Sequence, residues 1–190
     1  MPPLGLAPTS PLADYDARAR VELPLTIGTG VSWKPASRWN FGLWVDWHQW
    51  SNSYDTFKVG LSDGSNAQIN GAIGSGPTDR IPLNWKDRFV FSIGTSYQVS
   101  EDWTVRGGYR YGKSPVPDEL VTPLNGATLE HTLSLGVSWQ RGNWTLDLAY
   151  AHEFSETSKV GQSGYNAGEY SNSSLDTSID HFSVSLGKSF

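Results

Sequence analysis

Cysteine is absent from the 190-residue chain, so disulfides and thiolate metal sites are ruled out. No apolar run approaches the ~18 residues that a spanning helix needs, which excludes a helical membrane protein. Lysine and arginine total 14 against 19 acidic residues, and the net charge of −5 argues against a nucleic-acid partner. The length is that of one domain.

A signal peptide is also missing from the start of the chain. The opening MPPLGLAPTSPL has no basic region followed by an apolar stretch. We therefore expect either that export information has been removed or that the chain is a fragment. Residues 1–14 are predicted to be an extended segment that precedes a β-barrel domain over 15–190, which could be a partial barrel.

Alternation with a period of two is the main signal in the sequence, and it is typical of β-strands. From Trp39 to His48 the odd positions are apolar, while the even ones are mostly polar or small. An eighth strand is expected over Tyr15–Val21, although Leu23-Pro24 leaves little room for a hairpin after it. Seven clear strands are predicted, starting at or near Leu25, Trp39, Arg88, Trp103, Leu129, Trp144 and His181.

The connections between these strands are of two kinds. Three are short, at 34–38, 100–102 and 140–143, and they alternate with long loops over about 62–85, 113–127 and 155–178. Short turns on one side and long loops on the other are typical of outer-membrane barrels, with the short turns in the periplasm. Aromatic residues flank the short turns on the apolar face and predict an interfacial girdle: Trp33, Trp39, Tyr97, Trp103, Trp139 and Trp144.

These patterns together favour an all-β fold, an antiparallel transmembrane β-barrel with about seven or eight strands in this chain. Strands of ~11 residues tilted by ~45° would cross about 25 Å, the height of the apolar band of such barrels. A soluble β-sandwich would alternate in the same way. It would not require aromatic residues to gather beside the short turns.

Several motifs carry a resemblance to a known family. They are WTVRGGYRYGKSPVPDE at Trp103–Glu119, VDWHQWS at Val45–Ser51, LSLGVSW at Leu133–Trp139, WKD at Trp85–Asp87 and the pair Leu23-Pro24. From about Tyr15 onward, the chain resembles the C-terminal half of the long-chain fatty-acid transporter (FadL/TodX) family of the outer membrane.

The resemblance implies a monomeric barrel of fourteen strands in the outer membrane of a Gram-negative-type bacterium. Such barrels have an N-terminal hatch, a hydrophobic pocket and a lateral opening at a kinked strand. The hatch and the kinked strand would lie before residue 1. This chain would then supply barrel wall and extracellular loops. Its terminal Phe190 resembles the signal that the outer-membrane assembly machinery recognises.

Three arginines on the predicted polar face are candidates for ligand binding. Arg88, Arg106 and Arg110 could pair with a fatty-acid carboxylate, because a guanidinium group offers a bidentate fork. The alternative is that they pair with lumen carboxylates. The candidates for that pairing are Asp46, Glu130, Asp147 and Glu153.

The loops offer further candidates. Ser114, Pro115, Val116 and Pro117 could form a rigid element beside an extracellular entry groove, or only a structural turn. Apolar loop residues could form a first capture surface for a hydrophobic ligand, or only pack within the loops. They are Ile69, Ile73, Ile81, Leu83, Leu120, Val121 and Leu124.

Catalysis is not expected. His48 near Ser51 and Ser53 is the only arrangement that suggests a hydrolase, and no Gly-x-Ser-x-Gly motif supports it. His131 and His152 are expected on the lipid-facing side near strand ends. No spacing suits a metal ion.

The sequence thus predicts an outer-membrane channel for passive uptake of long-chain fatty acids or other hydrophobic compounds, without a cofactor. Expected partners are membrane lipid or lipopolysaccharide, the hydrophobic ligand, the assembly machinery, and either a second copy or a missing N-terminal half to complete the barrel. The alternative is a small self-closed barrel with a structural or adhesive role.

Overall fold

The computed structural model shows a large open antiparallel sheet with smaller elements at one end, and it describes residues 13–123, 125, 129–155, 157–165 and 168–190. Its short helices are α1 Trp50–Ser53, α2 Ala67–Ile73 and a 3-10 turn at Asp118–Leu120. None of the helices in these ranges is long and apolar enough to cross a membrane. The strands are β1 Asp16–Ala19, β2 Leu25–Ala36, β3 Trp39–Gln49, β4 Thr56–Ser62, β5 Thr78–Pro82, β6 Arg88–Gln98, β7 Trp103–Gly112, β8 Leu129–Arg141, β9 Trp144–Ser155, β10 Ser158–Lys159, β11 Ser174–Leu175 and β12 Ser178–Lys188.

Seven strands form the wall, in the spatial order β12-β9-β8-β7-β6-β3-β2. They are the seven segments that the alternation predicts. Each is 10 to 13 residues long, the length needed to cross the apolar band at a tilt. The expectation of an all-β antiparallel barrel architecture is confirmed, in the form of an open sheet that is part of a barrel.

One face of the wall carries exposed apolar side chains. Leu43 lies opposite Ile93, Ile93 opposite Tyr109, and Tyr109 opposite Leu133. Since directly opposite residues of paired strands share a face, these four side chains form one apolar row. Ile93 and Leu133 are each 50% exposed, as expected for side chains that face lipid. The other face is polar or small and lines the lumen.

Three hairpins close the short-turn end of the wall. In the first, the register shifts between Trp33 and Ala36, which accommodates Pro35 and its missing N–H group on a strand that is paired on one side only. In the third, Gly142 adopts a φ of +58°, a conformation that glycine adopts without strain. All three hairpins fall within or beside the predicted short turns.

The opposite end corrects the prediction of an eighth wall strand over Tyr15–Val21. Only Asp16–Ala19 is extended, and this strand pairs with β4 in a separate three-stranded sheet of order β1-β4-β5. The alternation was real, but alternation does not identify the pairing partner. The predicted loop over 62–85 likewise contains structure, since α2 and β5 lie within it.

The other two long connections pack around a small hydrophobic core, here called the loop core. Val116, Val121 and Val160 are buried there, with Trp85, Tyr170 and Leu175 packed against them. β10 and β11 pair within the third connection. The loop core therefore ties the second and third connections to the residues that precede β6.

The edge strands β2 and β12 are each paired on one side only. The self-closed barrel of about eight strands is therefore not formed in the described part of the chain. Its eighth strand would have been the segment that instead pairs with β4.

Candidate functional site

A row of small residues crosses the lumen face of the wall. Gly42 lies opposite both Ser32 and Gly94, Gly94 opposite Gly108, and Gly108 opposite Ser134. Ala151 continues the row on β9. Because these residues have little or no side chain, they leave room for a ligand or another chain segment against the backbone.

This row is the floor of a trough of about 480 Å³ on the lumen face. Trp44 borders one side, and Arg106 and Asp147 border the other. A Cβ atom at Gly30 or Gly42 would collide with the Trp44 ring, so glycine at these two positions allows the indole to lie flat on the wall. Trp44 departs from the polar pattern of its face, and the glycines beneath it supply the structural reason.

Arg106 is engaged by a carboxylate. Its guanidinium lies 3.6 Å from an Asp147 oxygen, and Ser138 hydrogen-bonds to both side chains. Register brings these residues together, since Arg106 and Ser138 lie on adjacent strands and Ser138 is opposite Asp147. The trough therefore ends in a paired cation rather than a free one.

Arg88 has a different partner. Its Nε donates to the Ser114 carbonyl at 2.9 Å, while the Ser114 N–H donates to a Glu130 carboxylate oxygen, also at 2.9 Å. Lys86 N–H donates to the Pro115 carbonyl at 2.8 Å. These bonds hold the beginning of the second long loop against the wall. Arg88 therefore positions the loop.

Arg110 is the third candidate and differs from the other two. It lies on the lumen face two residues beyond Gly108, opposite Ser92 and Thr132, and is exposed. Arg110 forms no hydrogen bond or ion pair with any residue that the structure describes. Arg110 does not itself line the trough, but it lies just beyond it on the long-loop side and is the one of the three predicted arginines whose guanidinium is not engaged by a described residue.

The Ser114-Pro115-Val116-Pro117 element begins the second long loop and enters the loop core. Val116 is only 4% exposed, and its N–H donates to the Ser114 hydroxyl at 3.2 Å. Among the predicted capture residues, Leu120 and Val121 are buried. Ile81 and Leu83 line a separate cavity of about 470 Å³ with Tyr165 and Tyr170, whereas Leu124 lies outside the described residues.

At the short-turn end, the predicted girdle residues come together in register. Trp39 lies opposite Tyr97 with ring centroids 4.5 Å apart, and Trp103 lies opposite Trp139. The Lys188 ammonium lies 5.1 Å from the ring centroid of Trp144 and 5.3 Å from that of Phe190. Such cation–π geometry fits an interface where ring and charge meet water.

A second aromatic cluster lies on the lipid-facing side near the long-loop end, and sequence reasoning identified only its histidines. The Tyr109 hydroxyl lies 2.5 Å from His131 Nδ1, and His131 stacks on Phe154 with centroids 5.4 Å apart. His152 and Tyr150 each hydrogen-bond to Asp180 at 2.8 Å. These residues all occupy lipid-facing positions in the alternating pattern of their strands, and this pattern is the sequence signal for the cluster.

The hydrolase arrangement is not assembled. The His48 Nδ1 is 3.0 Å from the Thr26 hydroxyl, and the Ser53 hydroxyl donates to the Leu23 carbonyl. Within the described ranges, no group of three or more His, Asp or Glu side chains could hold a metal ion.

Comparison with known proteins places this geometry in a family. The family model for outer membrane protein transport protein (OMPP1/FadL/TodX) matches residues 3–189. No curated protein matches the chain.

Solved structures share the fold at low sequence identity. The toluene transporter TodX of Pseudomonas putida is 21% identical with a TM-score of 0.66, over 93% of this chain and 37% of that one. A Pseudomonas aeruginosa FadL homologue is 21% identical with a TM-score of 0.66, over 90% and 37%. The Ralstonia pickettii toluene transporter TbuX is 19% identical with a TM-score of 0.62, over 92% and 36%.

The chain therefore spans between a third and two-fifths of the length of the solved structures it matches. Its family is one of outer-membrane proteins of Gram-negative bacteria. The chain belongs to the OMPP1/FadL/TodX family of outer-membrane transport proteins, and its seven-stranded sheet is part of the wall of such a barrel.

Proposed function

We propose that this chain forms part of the wall of a channel for passive uptake of hydrophobic compounds. The observation that carries the proposal is the trough of about 480 Å³ on the lumen face, with its floor of small residues. Binding sites for such compounds combine a concave, mostly apolar surface with a few polar anchors. The glycine floor and the flat Trp44 ring supply the surface.

The ligand would take its orientation from Arg110, which lies just beyond the trough on the long-loop side. Arg106 is neutralised by Asp147, and Arg88 is committed to the Ser114 carbonyl. Arg110 is exposed and is the arginine that can receive a carboxylate, which supports long-chain fatty acids as one class of ligand. A neutral hydrocarbon would use the same floor without this anchor, and two of the similar structures are named toluene transporters.

Substitution of Arg110 by glutamine separates these ligand classes. Laurate and toluene uptake would be measured in proteoliposomes that hold the protein as its gene encodes it. We expect laurate affinity to fall about tenfold, since a hydrogen bond to a charged group contributes about 1.5 kcal/mol. Toluene uptake should not change.

Arg38→Gln is the matched control, because Arg38 lies at a short turn away from the trough. Unchanged laurate affinity in Arg110→Gln would contradict the role of Arg110 as an anchor. Failure of the unaltered protein to admit either compound above protein-free liposomes would contradict the channel itself.

The two unpaired edges of the wall call for a complement, because unpaired backbone groups are costly in lipid. β2 and β12 both run from the long-loop end to the short-turn end. A second copy with the same orientation in the membrane would therefore meet each edge in parallel, whereas every wall pairing here is antiparallel. A segment whose end strands run the opposite way is the better complement, and we propose it over a dimer.

A further inference from the structure

The three-stranded sheet at the long-loop end has two unlike faces. Phe57 lies opposite Ile81, and these residues with Val59 and Leu61 form an apolar face. Three of the alternate positions carry cations, and Asp16 lies on the same face. Arg18 on β1, Lys58 on β4 and Arg80 on β5 share this second face, because residues of even number point the same way along all three paired strands.

Two of these cations, Lys58 and Arg80, line one recess together with a third, Arg20. Lys58 lies directly opposite Arg80, and the pairing of Ala19 with Val59 brings the next residue, Arg20, toward Lys58. The recess has a volume of about 540 Å³. Like charges opposite one another destabilise a sheet unless a counter-charge is present.

Two carboxylates share the recess with these three cations, but neither lies within ion-pair distance of them. None of the three cations forms a hydrogen bond or an ion pair within 4.0 Å with any described residue. Glu22 and Asp55 also line the recess, and the Asp55 carboxylate accepts a hydrogen bond from the Thr56 hydroxyl at 3.1 Å. The recess therefore offers a net positive charge.

The recess lies at the level where the wall ends. Glu22 lies three residues before the start of β2, and Asn52 lies three residues after the end of β3. The residues that line the recess are therefore close to the ends of these two wall strands. The Ser53 hydroxyl donates to the Leu23 carbonyl at 3.1 Å, so the segment before β2 is bonded to the segment after β3. The long-loop side is the extracellular side, where lipid headgroups of the outer leaflet lie.

We propose that this recess binds a phosphate group of an anionic lipid of the outer leaflet. Guanidinium and ammonium groups bind phosphate through short, charge-assisted hydrogen bonds. The side-chain amide of Asn52 supplies a further donor. Lipid phosphate is favoured over a soluble anion because the recess adjoins the membrane boundary of strands β2 and β3.

The test uses the protein as its gene encodes it, in detergent micelles, titrated calorimetrically with diphosphoryl lipid A. The triple variant Arg20→Gln, Lys58→Gln, Arg80→Gln should bind at least about tenfold more weakly, since it loses several charge-assisted bonds. A charge-matched control, Lys34→Gln, Arg38→Gln, Arg141→Gln, alters exposed cations at the short-turn end and should bind like the unaltered protein.

Two outcomes would overturn the proposal. Equal weakening in the control would show diffuse attraction rather than a site, and inorganic phosphate that competes at concentrations similar to lipid A would show a site for soluble anions. If the triple variant does not fold, single changes decide. Lys58→Arg should keep the affinity and Lys58→Glu should lose it, whereas equal affinities would contradict the proposal.

Discussion

The wall and the loop core are stabilised in different ways. In the wall, apolar side chains such as Ile93 and Leu133 are half exposed and face outward. In the loop core, Val116, Val121 and Val160 are at most 4% exposed. The wall depends on lipid outside and on a continuous hydrogen-bond ladder, while the loop core depends on burial as a water-soluble domain does.

The same residue type is therefore exposed to lipid in the wall and buried within protein in the loop core. Val184 on the lipid face is 73% exposed, and Val121 in the loop core is 2% exposed. The effect of a substitution on stability therefore depends on whether the side chain faces lipid or is buried within the protein.

A cation on the lipid face should cause the greatest loss. Val184 lies near the middle of β12, and Val184→Arg should lower the free energy of unfolding in lipid vesicles by ~2–4 kcal/mol. The neighbouring Ser183 faces the lumen, so Ser183→Arg should cost much less. Urea titration of both variants measures the difference, and equal losses would mean that the faces have been assigned wrongly.

Truncation in the loop core should have an intermediate, local effect. Val121→Ala removes buried methyl groups and should cost about 2 kcal/mol, which loosens the loops without unfolding the wall. Faster trypsin cleavage in the loops, with unchanged heat-modifiable migration of the barrel, is the expected result. Val184→Ala is the matched control and should leave loop cleavage as it was. Global unfolding by Val121→Ala would show that the two regions are not separate.

Removal of the lumen ion pair should have the smallest effect on stability. Arg106 and Asp147 are about half exposed, so Asp147→Asn should cost only about 0.5 kcal/mol. The freed Arg106 guanidinium should raise the affinity for laurate and leave that for toluene unchanged. Asp46→Asn, at a lumen carboxylate outside the trough, serves as the control. A laurate affinity that stays constant in Asp147→Asn would argue that ligands do not reach Arg106.

The sequence predicted the wall well because lipid and lumen impose a strict alternation on every strand. All seven segments, from Leu25 to Lys188, appear as strands with the expected faces. The same signal is present in β4, where Phe57, Val59 and Leu61 alternate with Lys58 and Gly60, although the sequence analysis predicts no strand there. Its partner β1 falls in the segment that is predicted to be an eighth wall strand.

The site was harder to predict because it depends on register. Arg106 was identified as lumen-facing, but its contact with Asp147 requires two strand pairings to be known. The row through Gly42, Gly94 and Gly108 is equally invisible along the chain, since its members lie far apart in sequence. The alternation along one strand shows which face of the sheet a residue occupies. Only the register between neighbouring strands shows which residues are in contact.

One face of the sheet meets lipid, and the other lines a lumen. Because the chain contains no cysteine, a single fluorescent label can be placed in turn at each position from 132 to 139 of β8. In vesicles whose acyl chains carry bromine, we expect strong quenching at odd positions and weak quenching at even ones. Quenching that is uniform along β8, or strongest at the even positions, would contradict this assignment of the faces.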